Sequence, residues 1–247
     1  MKEHALLRSR WLVAAIIIAL PLILYGRFAL GGRALFWGTP LLQFWPWRHL
    51  AGEQLRAGQL PLWNPYAGTG VPLLADHQTA VLYPLNLIFW LWPLEGAAVA
   101  RAMGVSLLLH AVLGGAAMAA LARELGVSRL GALVAALALM LSGYNISRAS
   151  FLTEISALPW IPLLWLATRR AVNRQRAIDV TGLAAVIALQ FLAGHAQTWF
   201  YAMCTAALYG LWEAWRQASR QDTPNAARRL AALWAHLWPL AAAAAWG

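Results

Sequence analysis

The chain has 247 residues, 61% of them hydrophobic and only 11% charged, with a formal net charge of +10. A soluble domain carries about 25% charged residues, and one soluble core cannot hide so much apolar surface, whereas a bilayer solvates apolar side chains directly. The positive charge is mostly Arg in short connections between apolar runs, a pattern that orients membrane helices and not one that binds nucleic acid. The single cysteine, Cys204, excludes a disulfide framework or a cysteine-built zinc site.

In chain order, a short basic start at 1–10 leads into an apolar run at 11–28, near the about 20 residues that a spanning helix needs. The run is longer than a signal-peptide core and has no small-residue cleavage site, so an uncleaved first helix is expected. Further apolar runs at 96–121, 130–146, 155–168, 178–195 and 198–215 bring the expected spans to six. The run at 155–168 is short and holds Pro159 and Pro162. A seventh run begins near Leu230 and reaches Gly247 without a cap or polar exit, so the chain reads as the N-terminal part of a longer protein. The expected fold is all-α, a partial polytopic transmembrane helix bundle over 1–247, with a large extracytoplasmic first loop at 29–95 that contains interfacial helices.

Basic residues are retained on the cytoplasmic side. With the N-terminus inside, the inner segments hold 13 of the 19 Lys and Arg, and the outer side keeps Arg27, Arg33, Arg48, Arg56, Arg101 and Arg148. The apolar stretch at 79–94 would reverse this parity if it crossed fully. Tyr83, Pro84, Asn86, Trp90, Trp92 and Pro93 suit instead a segment that lies in the interface or dips and returns. The 15 Trp, many beside Pro or Arg, fit anchoring at the headgroup level.

Three polar clusters then fall on the outer side. The first runs through the long loop. Pro46 is placed for the first turn of a short helix, with Trp47, Leu50, Ala51 and Leu55 on one face and Arg48, Glu53 and Arg56 elsewhere, able to lie flat on the membrane. Pro61, Pro65, Gly68 and Gly70 punctuate turns. The second cluster is Ser142-Gly143-Tyr144-Asn145-Ile146-Ser147-Arg148, continuing to Thr153-Glu154. The third is the turn Gly194-His195-Ala196-Gln197-Thr198. Short connections bring these turns together in one bundle.

Each residue also has a structural role open to it. Tyr and Trp serve as interfacial anchors, and Arg48 and Arg148 as headgroup contacts. Asn64, Gln78 and Asn86 satisfy loop backbone. His110 and Gln190 make interhelical hydrogen bonds. Glu154, costly beside hydrocarbon without a partner, has Arg148 available as an ion pair.

At these residues the sequence resembles the YfhO family of bacterial polytopic membrane proteins. The resemblance rests on GTPLLQFWPW at 38–47, LPLWNPY at 60–66 and GTGVPLLADHQTAVLYPLNLIF at 68–89, extended by SGY at 142–144 and GHAQT at 194–198. That family is similar to the GT-C class of glycosyltransferases, which move a sugar from a polyprenyl-phosphate carrier to an envelope acceptor outside the cytoplasm. The resemblance implies a bacterial inner-membrane location, an outward-facing site, and membrane lipid, carrier-linked sugar and an envelope polymer or protein as partners; no cofactor is predicted, and with no clustered carboxylate pair in the sequence no metal is predicted either. It also implies an acidic residue in the first outer loop. Many relatives have an Asp near the start of that loop, where this chain has Gly38-Thr39-Pro40 and no acid before Glu53. Among Glu53, Asp76 and Glu95, Asp76 ranks first, beside His77 and Gln78. The implied catalytic set is Asp76, Glu154 and His195. The implied substrate-binding set is Gln43, Trp47, Arg48, Trp63, Asn64, Tyr66, His77, Gln78, Tyr83, Asn86, Arg148 and Gln197. Two other functions remain open: a non-catalytic partner in an envelope glycosylation machine, which the missing early Asp favours, and a lipid or solute transporter. The transporter lacks support from any internal repeat.

Overall fold

The computed structural model describes residues 9–35, 38–91, 97–220 and 226–246. Lys2, Arg8, Trp92, Pro93 and Glu95, together with the side chains of Arg228, Arg229 and Leu230, lie outside the described residues. The described residues are mostly helical, with almost no sheet. Helix α1, Arg10–Ala29, is followed by a π-helical turn, Pro40–Phe44, that runs into α2, Trp45–Arg56. Pro46 sits in the first turn of α2, where its missing N–H costs no hydrogen bond. A two-residue antiparallel ladder, β1 Trp63–Asn64 with β2 Val71–Pro72, closes a small hairpin. Two 3₁₀ turns, His77–Thr79 and Pro84–Asn86, lead to the short α3, Leu87–Leu91. No long helix forms at 79–91.

The remaining helices are α4 Ala97–Glu124, α5 Arg129–Met140, α6 Gly143–Ser147, α7 Leu152–Ala157, α8 Trp160–Arg174, α9 Ala177–Leu192, α10 Ala196–Arg220 and α11 Ala226–Trp246. Local chemistry sets several boundaries. Ser128 Oγ accepts from the Gly131 N–H at the start of α5, and Ser142 Oγ accepts from the Asn145 N–H at the start of α6, each filling an orphan donor. Gly126, at φ +85°, takes the left-handed turn after α4.

Helices α1, α4 and α5 pack around Ile17, Ala119, Ala122, Ala132, Leu133 and Ala136. Small residues let these backbones approach. Helix α8 is the central post, packed on α4, α9, α10 and α11. Its Leu164, Ala171 and Val172 are fully enclosed.

Among the described residues, three helical stretches are long and apolar enough to cross a membrane: Arg10–Ala29, Ala98–Glu124 and Arg129–Ser147. They correspond to the first three expected spans. The run at 155–168 is not one helix. It divides into α7 and α8 at Leu158–Pro159, because Pro159 and Pro162 withdraw two backbone donors where a continuous helix would need them. Helix α9 is apolar but only 16 residues long. Helix α10, at 25 residues, extends roughly 37 Å at about 1.5 Å per residue, yet carries Tyr209, Glu213 and Arg216 and is less apolar.

The helix ends sort chemically. Arg10, Arg123, Arg129, Arg169, Arg170 and Arg174 gather at one end of the bundle, where Glu124 bonds Arg170 and Arg174 and where Arg10, Arg123 and Arg129 share a pocket. The connections bearing Glu154 and His195 lie at the other end, against the 76–80 turn.

Candidate functional site

The three polar clusters meet at Gly194. Its φ is +89°, and a Cβ there would stand 2.7 Å from Ala80 Cβ, 2.8 Å from the His77 carbonyl oxygen and 3.2 Å from Thr153 Cγ2. The 76–80 turn, the start of α7 and the turn between α9 and α10 are therefore in van der Waals contact. His77 locks the same junction from its side chain. Its Nε2 lies 2.7 Å from the Phe191 carbonyl, and its ring packs on that of Phe191 at 4.6 Å. A carbonyl can only accept, so Nε2 carries the proton. The buried Nδ1 then holds a lone pair, with no hydrogen-bond partner among the described residues.

Glu154 is the buried acid of this junction, 6% exposed. The Tyr144 hydroxyl donates to its Oε1. Arg148 Nη1 stands 3.9 Å from Oε2, which realises the ion pair read from the sequence. Tyr144 and Arg148 are themselves largely exposed, and the Arg148 guanidinium lies over the rings of Tyr144 (5.7 Å) and Phe151 (5.1 Å). Together they form a polar rim around an enclosed carboxylate. His195 belongs to the same group and feels Glu154, His77 and Arg148 electrostatically. Its Nδ1 accepts from the Thr198 N–H at 3.2 Å, capping α10 and leaving the proton on Nε2.

Asp76 is placed differently. It is exposed, and its Oδ1 accepts from the Gln78 N–H at 3.0 Å, capping the 3₁₀ turn. It adjoins the junction through His77. Gln78 Oε1 accepts from Gln43 Nε2 at 2.9 Å, tying the start of the outer segment to this turn. Gln197 is exposed and donates to the Tyr201 hydroxyl.

A second feature is a groove of about 360 Å³ lined by Trp45, Trp47, His49, Glu53, Asn64 and Tyr66. Trp45 stacks on His49 at 5.2 Å, and His49 Nε2 is 3.3 Å from Glu53. Tyr66 is 85% exposed. Asn64 is buried, its Oδ1 accepting from the Tyr66 N–H in an Asx turn. Trp63, at the outer edge of the hairpin, packs its indole over Gly70 (φ +100°), where a Cβ would overlap the ring. Glu53 is one of the loop's candidate acids in the sequence, whereas His49 is not singled out there; Trp45, His49 and Glu53 share a face of α2, and the fold brings Asn64 and Tyr66 to it.

Arg48, Tyr83 and Asn86 hold the outer segment in shape. Arg48 does not share the exposed side of α2 with Glu53 and Arg56, nor does it reach for headgroups. It is 3% exposed, donates to the Thr79 and Ala80 carbonyls and lies over Phe89. Those carbonyls sit in a turn that ends at Ala80 with φ 46° and have no helical partner. The long guanidinium arm satisfies them. Burial pulls its pKa down from the ordinary guanidinium range to about 9, so it remains charged at neutral pH. Asn86 Nδ2 donates to the same Ala80 carbonyl at 2.7 Å. The Tyr83 hydroxyl accepts from Trp160 Nε1 (2.9 Å) and donates to His110 Nε2 (2.8 Å), and His110 Nδ1–H bonds the Ser106 carbonyl (2.7 Å). This closed chain of donors fixes His110 as a neutral imidazole. His110 thus pairs with the loop as well as with its own helix, while Gln190 donates across to the Ala157 carbonyl.

Among the described residues no three His, Cys, Asp or Glu stand close enough to hold a metal. Comparison with family models, curated proteins and solved structures finds no match to this chain.

Proposed function

We propose that the chain belongs to a polytopic membrane glycosyltransferase of the YfhO and GT-C kind, with its site at the Glu154 end of the bundle facing away from the cytoplasm. The observation that supports this reading most is the enclosed Glu154 carboxylate at the meeting point of the outer segment, the Tyr144–Arg148 rim and the His195 turn. A lipid-linked donor reaches a site at helix ends laterally from the membrane, and the acceptor arrives from water. Arg148 suits the carrier phosphate. The aromatic groove with His49 and Glu53 suits a sugar-bearing acceptor, since rings stack on sugar faces and the polar pair bonds hydroxyls.

In the reaction, the acceptor hydroxyl oxygen attacks the sugar's anomeric carbon. The bond from that carbon to the phosphate oxygen breaks with inversion, and the polyprenyl phosphate leaves against Arg148. The acceptor proton passes to the Glu154 carboxylate, then to water. Tyr144 orients the carboxylate. The exposed Asp76, whose carboxylate caps a turn, shapes the loop beside His77.

The test is transfer of a radiolabelled sugar from a polyprenyl-phosphate donor by the full-length protein in proteoliposomes. Labelled acceptor supports the reading. No transfer in the presence of a cell-envelope fraction would return the chain to a non-catalytic partner, and vesicle uptake without transfer would make it a transporter.

A further inference from the structure

The aromatic groove of the outer segment has a polarity of its own. Trp45, His49 and Glu53 line it from one face of α2, at the four-residue spacing of helical neighbours. Trp47 adds a ring held edge-on to Phe44 at 6.2 Å. The hairpin supplies Asn64 and Tyr66. Tyr66 is 85% exposed, so its ring is open to a ligand. At about 360 Å³ the groove is of the size that holds small molecules, about 300–1,000 Å³.

Two polar groups give it a sign. Asn64 is 5% exposed, and its Oδ1 accepts from the Tyr66 N–H at 3.0 Å, which sets the orientation of the amide. Its Nδ2 has no hydrogen-bond partner among the described residues and is not sealed from solvent, so it is a donor offered to the groove. Glu53 bonds His49 at 3.3 Å and its side chain remains 55% exposed, which leaves the carboxylate able to accept. Among the described lining residues Glu53 is the only acid, and there is no Lys or Arg. Arg48, beside Trp47 in the chain, turns away to the Thr79 carbonyl.

Ring platforms, an amide donor and a carboxylate acceptor without an opposing cation match a sugar chain that carries no negative charge. Its C–H faces stack on the rings, one hydroxyl accepts from Asn64 and another donates to Glu53. A phosphate or uronate would meet the Glu53 carboxylate with no cation to pair it, and such like-charge contacts reject wrong partners. We infer that the groove binds an uncharged saccharide chain and excludes anionic polymers. This rests on the proposed transfer reaction, because it names the acceptor of that reaction as a neutral glycan. The groove is also tied to the Glu154 junction: Gln43, in the turn that opens α2, donates to Gln78 at 2.9 Å, next to His77.

The experiment is calorimetric titration of the full-length protein in phosphatidylcholine nanodiscs with chitotetraose and cellotetraose, both uncharged, and with a hyaluronan tetrasaccharide, which carries carboxylates. The wild type should bind at least one uncharged chain about tenfold or more tightly than hyaluronan. Raising salt from about 0.02 to about 0.5 M should narrow that preference, and Glu53→Gln should narrow it at low salt. Tyr66→Ala should weaken binding of the uncharged chain about three- to tenfold, through loss of a ring contact. Phe200→Ala removes an exposed ring of α10 outside the groove and should bind as the wild type. Binding of neither uncharged chain, equal or tighter binding of hyaluronan, or no change in both Tyr66→Ala and Glu53→Gln would each overturn the inference. Thermal midpoints separate loss of the groove from loss of the fold. Binding by a protein that transfers no sugar upholds the groove and defeats only the transferase, whereas transfer that Tyr66→Ala and Glu53→Gln leave untouched defeats the groove alone.

Discussion

Gly194 lies against His77: a Cβ at position 194 would stand 2.8 Å from the His77 carbonyl oxygen, and the backbone there has φ +89°. Two residues far apart in sequence thus depend on the absence of one carbon atom. Gly194→Ala should push the 76–80 turn away from the helix ends and cost about 1–3 kcal/mol through strain and overpacking. The measurements are the thermal unfolding midpoint in detergent and protease cleavage within 57–82. An unchanged midpoint and cleavage pattern would mean that the two segments do not touch.

The Arg48 guanidinium is the internal brace of the outer segment. Arg48→Ala leaves the Thr79 carbonyl without a donor, while Ala80 keeps Asn86. The expected loss is about 1–3 kcal/mol for a buried unsatisfied group, read as faster proteolysis of the outer segment with the helical circular dichroism signal retained. Arg48→Lys should recover only part of it, because an ammonium lacks the planar fork.

Tyr83 joins the loop to α4 and α8 through one hydroxyl. Tyr83→Phe orphans the Trp160 N–H and the His110 lone pair, and should cost about 1–3 kcal/mol. In a double-mutant cycle with Trp160→Phe the losses should fall short of additivity, because the second substitution removes a partner already deprived. Additive losses would show that the two rings do not share a bond.

Segregation of arginine to one end of the bundle sets an expected topology. In a Cys204→Ser background, Gln59→Cys should react with an impermeant maleimide in intact cells, and Ala177→Cys only after permeabilisation. Both positions are exposed. The reverse pattern would invert the proposed orientation and place the Glu154 cluster in the cytoplasm.

Much of this was legible along the chain, and the residues show why the rest was not. Pro46 at a helix start, the Arg148–Glu154 pair and the His195 turn are local, fixed by neighbours a few positions away. The placement of Arg48 is not local. Helical spacing puts it off the apolar face of α2, yet the carbonyls at 79 and 80, more than 30 positions on, draw it inward. The Tyr83–Trp160 bond spans 77 positions, and no periodicity reports it. Motif density favours Asp76, because the residues around it are polar and closely spaced. Burial favours Glu154, and burial is a property of three segments brought together. Helical spacing groups Trp45, His49 and Glu53 on one face of α2, but it does not report that the hairpin brings Asn64 and Tyr66 to that face.

The decisive comparison is Glu154→Gln against Asp76→Asn in the proteoliposome transfer assay, with thermal midpoints measured in parallel. Glu154→Gln keeps an acceptor for the Tyr144 hydroxyl and removes the proton acceptor together with the charge facing the exposed Arg148. Transfer should fall by about 10²–10⁴-fold, the usual cost of a lost general base, with the midpoint little changed. Asp76→Asn keeps a side-chain oxygen for the Gln78 N–H and should retain most of its activity. Full transfer by a folded Glu154→Gln protein, or its loss in Asp76→Asn instead, would contradict the placement of the chemistry at Glu154.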